Sequence, residues 1–185
     1  MVEEARFEET ESGRAPTTDG WFVVNVADSA WYSNEAFGAT TTFEGEGDDD
    51  GGSPARFKEY GINIHVFWPG QPNCMYHREG AQENFLVLAG ECLLLVEGQE
   101  RHLRAWDFVH FPAWTEHVVV GAGDGPCVIL MVGSRPDDGV VYPVSELARK
   151  HGAGVEVETD KPSEAYERFP KWRSERPDDP ALPWR

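Results

Sequence analysis

Met75-Tyr76-His77-Arg78-Glu79-Gly80-Ala81-Gln82-Glu83 opens, and His110-Phe111-Pro112-Ala113-Trp114-Thr115-Glu116-His117 closes, the stretch whose pattern decides the fold of this chain. Between them, Phe85-Leu86-Val87-Leu88-Ala89 and Glu91-Cys92-Leu93-Leu94-Leu95-Val96 are apolar runs of strand length. Gly90 joins them and supplies the backbone freedom that a tight turn needs. His77, Glu83 and His117 carry side chains able to share one divalent metal. The functional reading depends on whether those three converge.

Working outward, strands are expected over residues 75–79, 83–89, 91–97, 101–105, 107–111, 117–121 and 126–133, punctuated by Gly and polar residues every 8–12 positions or so. Such spacing favours an antiparallel sandwich or barrel over alternating strands and helices. Upstream, Ile62, Ile64 and Val66 alternate with other residues as in a half-buried strand over 60–68. A weaker strand is expected over 37–43, and a first strand over 21–26. The runs around Cys92 and Cys127 are apolar on both faces, so their outer faces need cover. The 21–26 strand or a second subunit would provide it, and a homodimer is expected.

The ends read differently. Residues 1–20 are polar and acidic, as suits a flexible arm, and 44–53 as a mobile acidic loop. Residues 21–141 form the expected barrel, with a motif core at 60–133. In the extension at 142–185, Ser145 and Gly152 are placed to cap a short helix, and 163–169 suits another turn of helix. The Pro-rich tail is expected to drape over the barrel, with Trp172 and Trp184 as anchors.

Composition removes several function classes. The chain has 185 residues, 33 acidic against 16 basic, and a formal charge of −17. A surface so acidic repels phosphate, which argues against nucleic-acid and anionic-membrane partners. No apolar run approaches the roughly 20 residues that cross a bilayer, and the first residues lack the pattern of a secretion signal; a cytoplasmic location is expected. Three cysteines without Cys-x-x-Cys spacing suit neither a disulfide framework nor a zinc ribbon. Cys92 and Cys127 read as buried thiols, and Cys74 lies near the candidate site.

At these residues the sequence resembles the cupin superfamily. Glu83 and Gly90 match the Glu-x6-Gly that ends the family's first motif, and the first metal histidine falls on His77. Pro112 and His117 fit the Pro-x-Gly-x2-His of the second motif, apart from its glycine. The resemblance covers roughly residues 60–133 and implies an all-β double-stranded β-helix. There are departures. Glu79 stands where the second histidine is usual, Trp106 where the second motif begins with glycine, Trp114 at the glycine before the last ligand, and Gly121 where Asn is common.

The resemblance implies one divalent transition metal on His77, Glu79, Glu83 and His117, with iron, manganese or zinc favoured by two carboxylates. Alternatively Glu79 faces solvent and leaves three ligands, or serves as general base beside the metal, or the metal is lost. His110 is a second acid–base candidate, with a structural hydrogen-bonded role as its alternative. Phe85, Val87 and Val119 share parity with the ligands and would line an apolar cavity for a small molecule, walled by Trp106 and Trp114 if these are not core. The implied activities are dioxygenase, isomerase or decarboxylase chemistry. The alternative is a non-catalytic small-molecule-binding or structural barrel.

Overall fold

The computed structural model describes residues 1–45, 53, 55–136 and 138–185. Most of the expected acidic loop, 46–52, lies outside the described residues. In chain order the strands are β1 (Phe7–Thr10), β2 (Gly13–Pro16), β3 (Tyr32–Asn34), β4 (Gly38–Thr41), β5 (Tyr60–Phe67), β6 (Arg78–Glu79), β7 (Glu83–Ala89), β8 (Glu91–Val96), β9 (Gln99–Arg104), β10 (Phe108–Phe111), β11 (His117–Ala122), β12 (Cys127–Ser134), β13 (Val140–Val141) and β14 (Arg173–Ser174). Two short helices, α1 (Glu146–Lys150) and α2 (Pro162–Ala165), follow the barrel. None of the described helices is long and apolar enough to cross a membrane.

A seven-stranded antiparallel sheet runs β10-β7-β12-β5-β4-β3-β14, and a three-stranded one runs β11-β8-β9. The expected double-stranded β-helix is the fold that forms. The link from β7 to β8 is Gly90, at φ +74°, where an added Cβ would stand 2.3 Å from the Pro126 carbonyl oxygen. Both the turn and that close approach require glycine.

The two sheets enclose a core of Phe67, Phe85, Val87, Cys92, Leu94, Phe111, Val119, Cys127, Ile129 and Met131. Burying each large side chain of this set contributes about 1.5–3 kcal/mol. Cys92 and Cys127 are buried free thiols. Contact with Cys92, and then burial, push the Cys127 thiol well above its usual range.

The outer apolar faces are covered from within the chain. Leu93, Leu95, Val118 and Val120 pack beneath Ala148 of α1 and Ala153. On the larger sheet, Ile64, Val66 and Val128 pack against Trp31 and Leu182, and Trp184 stacks on Trp31 with centroids 5.5 Å apart. The Trp68 indole N–H donates to Asp179 Oδ2 at 2.8 Å, pinning the tail. The two-sided apolar pattern therefore needs no second subunit to explain it.

Two expectations differ from the structure. Residues 7–16 are a β-hairpin rather than a loose arm, with Phe7 opposite Pro16 and Thr10 opposite Gly13. Residues 21–26 form no strand; Val23 is 83% exposed and only an isolated bridge joins Trp21 to Glu4. The β-prone side chains there find no sheet edge, because β4, β3 and β14 extend the larger sheet instead. Ser145 caps α1, accepting from the Ala148 N–H at 3.2 Å, as its place in the sequence suggested.

Candidate metal centre and cavity

His77 and His117 sit directly opposite one another in an antiparallel bridge. The His117 N–H donates to the His77 carbonyl at 2.8 Å, and the His77 N–H returns the bond at 3.2 Å. Residues so paired project to the same side, and the ring centroids are 4.9 Å apart. Glu83 opens β7 between Phe111 of β10 and Gly133 of β12. A Cβ on Gly133 would meet the Glu83 side chain at 3.3 Å, so a glycine there leaves the carboxylate its space.

One ligand atom from each of His77, Glu83 and His117 lies within 4.8 Å of the others. Both imidazoles are oriented by main-chain carbonyls. Nδ1 of His77 is 2.9 Å from the Met75 oxygen, and Nδ1 of His117 is 2.9 Å from the Thr115 oxygen. A carbonyl only accepts, so each Nδ1 carries a hydrogen, which in the neutral form of either ring leaves the lone pair on Nε2. Burial first, and then the neighbouring His117, push the His77 pKa down to about 4, which keeps this ring neutral.

His117 is 2% exposed and stacks on Phe111 with centroids 4.0 Å apart and planes 15° from parallel. Its Nε2 lies 3.1 Å from Glu83 Oε2. By distance this is an ion pair, yet neither atom finds a hydrogen-bond partner among the described residues, and both are buried. The two buried atoms therefore face one another without a hydrogen bond between them. That arrangement fits a shared cation and leaves two costly orphans without one.

Glu79 lies outside this group of three but lines the same cavity. Burial, and then the charge of Glu83, raise its carboxyl to about 7. Tyr76 and Arg78 alternate to the other side, where both reach the Glu116 carboxylate, at 3.3 and 2.9 Å. Cys74 also lines the cavity, its sulfur 3.6 Å from His77 Nδ1. Burial, followed by the charges of Glu83 and Glu79, pushes this thiol far above its usual range, so it stays protonated.

The cavity has a volume of about 680 Å³, and its walls include Arg56, Asn63, His65, Asn73, Phe85 and Arg135. Of the expected lining, Phe85 is present, whereas Val87 and Val119 lie in the core behind it. Trp106 and Trp114 do not wall the cavity; they are 74% and 46% exposed. His110 is exposed on β10, bonded to Asn84 Oδ1 at 2.8 Å. It faces away because its neighbour Phe111 faces in, and this removes it from the acid–base candidates.

Sequence reading missed the polar face of β5. Asn63 and His65 point into the cavity, while Ile64 and Val66 turn outward under the tail. The alternation of Ile62, Ile64 and Val66 shows that the strand has two unlike faces, but not that the polar one lines the cavity. Phe111, the ring on which His117 stacks, was likewise missed.

The family model described as the cupin domain matches residues 63–133. Among solved structures, a putative sugar phosphate isomerase from Acidithiobacillus ferrooxidans shares 26% identity over 55% of this chain and 62% of its own, with a TM-score of 0.46. A sugar phosphate isomerase from a cupin superfamily, from Silicibacter pomeroyi, shares 21% over 58% and 66%, with a TM-score of 0.49. A cupin protein from Bacteroides fragilis shares 17% over 44% and 70%, with a TM-score of 0.41. The chain spans less than two thirds of the length of the first two. No curated protein matches it.

Proposed function

Because the barrel of this chain matches the cupin domain over residues 63–133, we propose that it is a metal-dependent protein acting on a small molecule in the cavity beside His77, Glu83 and His117. Those three side chains would hold one divalent transition ion. The observation that carries this reading is the convergence of Glu83 Oε2 and His117 Nε2, buried and unsatisfied, with both rings turned by main-chain carbonyls.

Two imidazoles and a carboxylate suit iron, manganese or zinc and leave coordination positions open. An ion held there would supply Lewis acidity toward a substrate oxygen, or a site for dioxygen. The protein's own groups do the rest. Phe85 and Phe111 keep water from the His117 side of the cavity, and Glu79, on its wall, is placed to take or return a proton. Dioxygenase, isomerase and decarboxylase chemistry all remain within this description, since fold alone does not select among them.

One observation favours a second reading, a binding protein without catalysis. Glu79 stands where the family usually has its second histidine, and its carboxylate is not among the three converging ligand atoms. Metal content by mass spectrometry, after reconstitution with iron, manganese and zinc in turn, separates the two readings. About one equivalent in the wild type, lost in Glu83→Gln, supports the metal centre. None in the wild type under any of the three overturns it. Self-association is a separate proposal, read by light scattering.

A further inference from the structure

We propose that the cavity receives a small hydroxylated oxyanion, a carboxylate or a phosphate ester, with its charge held at Arg56 and a hydroxyl bonded to Asn63. This deepens the reading above and rests on it only for the placement of the ligand's inner end.

Two cations line the cavity, and they differ in what they already hold. Arg135 is engaged: its guanidinium donates to Glu44 Oε2 at 2.8 Å and to the Phe57 carbonyl at 2.7 Å, tying the chain on either side of the loop to the rim. Arg56 is exposed at the cavity, and among the described residues its guanidinium has no ion-pair or hydrogen-bond partner. In a chain with 33 acidic and 16 basic residues, carboxylates compete for every cation. Other cations, such as Arg6 and Arg104, are also without an ion pair among the described residues; what sets Arg56 apart is its place at the cavity, where its planar donors match carboxylate and phosphate oxygens.

Charge sets the ligand's direction. The cavity wall also carries the carboxyl groups of Glu79 and Glu83, which offer an anion no positive charge. Arg56 is the unbalanced positive charge, so the oxyanion belongs beside it. On the wall of the same cavity, Asn63 Oδ1 is buried and lacks a hydrogen-bond partner among the described residues. An acceptor in that state calls for a donor from the ligand, which a hydroxyl provides. Against the repulsion of a chain at −17, a neutral polyol would gain nothing from Arg56, and an oxyanion would.

Four probes on a three-carbon skeleton test this: glycerol, propionate, glycerate and glycerol 3-phosphate. Each is titrated calorimetrically into the full chain, metal-stripped and manganese-loaded, at low and at high ionic strength. Glycerate, glycerol 3-phosphate or both should bind about tenfold or more tightly than glycerol, as a charge-assisted contact predicts. High salt should erode that preference, Arg56→Gln should abolish it, and Arg56→Lys should keep part of it. Whichever anion binds better identifies carboxylate or phosphate as the source.

Equal binding of glycerol and both anions, no binding of any probe, or a preference that survives Arg56→Gln would overturn the proposal. Propionate binding as tightly as glycerate in the stripped protein would overturn the role of Asn63. The metal reading fails separately: an Arg56-dependent preference in a protein that takes up no metal overturns that reading and leaves this one standing.

Discussion

Glu83 Oε2 and His117 Nε2 lie 3.1 Å apart inside the barrel, and neither has a hydrogen-bond partner among the described residues. Each orphaned buried atom costs about 1–3 kcal/mol, so the metal-free protein carries a local penalty that an ion would remove. Glu83→Gln should split the two states. Its amide can donate to His117 Nε2, so the metal-stripped variant should melt at or above the stripped wild type. The rise in melting temperature on adding metal should be present in the wild type and absent in the variant. Thermal denaturation with and without chelator and added manganese reads both.

The three converging ligand atoms come from His77, Glu83 and His117, with Glu79 lining the cavity beside them. Glu79→Gln should accordingly keep its metal, with affinity reduced by no more than about 10–100-fold, the scale of a change beside the ligands rather than at one. Glu83→Gln should fall well beyond that range. Competition with a chromogenic chelator gives both constants. Equal losses in the two variants would make Glu79 a fourth ligand.

Trp106 and Trp114 hold φ values of +75° and +66°, at the two positions where the motif usually has glycine. A left-handed backbone costs an L-residue about 1–2 kcal/mol, and glycine's extra freedom in the unfolded chain returns roughly 0.5–1 kcal/mol of that difference. Trp106 is 74% exposed and loses little packing, so Trp106→Gly should stabilise the fold by about 0.5–1 kcal/mol. Trp114 is 46% exposed and surrenders more contact, so Trp114→Gly should leave stability near the wild type. Urea midpoints at unchanged slope would show the contrast.

Those two positions mark what the sequence could and could not convey. Glu83, Gly90 and His117 carried the fold and the candidate metal cluster, because a turn glycine and in-register histidine and carboxylate positions are local signals. The tryptophans looked like cavity walls because aromatic residues near a site usually are; their backbone geometry, invisible in a one-dimensional pattern, places them on the surface. The polar residues of β5 were legible as an alternation, but which face is interior depends on the distant tail that covers Ile64 and Val66. The hairpin at residues 7–16 is held partly by contacts far along the chain, such as the Arg176 guanidinium on the Ser12 carbonyl. No local composition announces such a bond.

His65 offers a pH test away from the ligand trio. Its ring is buried, and Nε2 donates to the Phe37 carbonyl at 2.7 Å. Burial lowers its pKa from 6.5 to about 4, and the Phe37 bond offsets this only in part. The sign follows from where protons bind. Between pH 6.5 and 4 the unfolded chain takes up a proton at this position and the folded chain does not, so acidification favours unfolding. The stability tied to His65 is thus fully present above about pH 6.5, declines through that window, and is lost below about pH 4. At about 1.4 kcal/mol per pH unit the loss is on the order of 3 kcal/mol. His65→Gln, whose amide can keep the bond to Phe37 without titrating, should be nearer to the wild type in stability at pH 5 than at pH 7.5. Urea titrations of both proteins, metal-stripped, measure that difference directly. A gap that stays constant across the window would show that His65 titrates alike in the folded and unfolded chains.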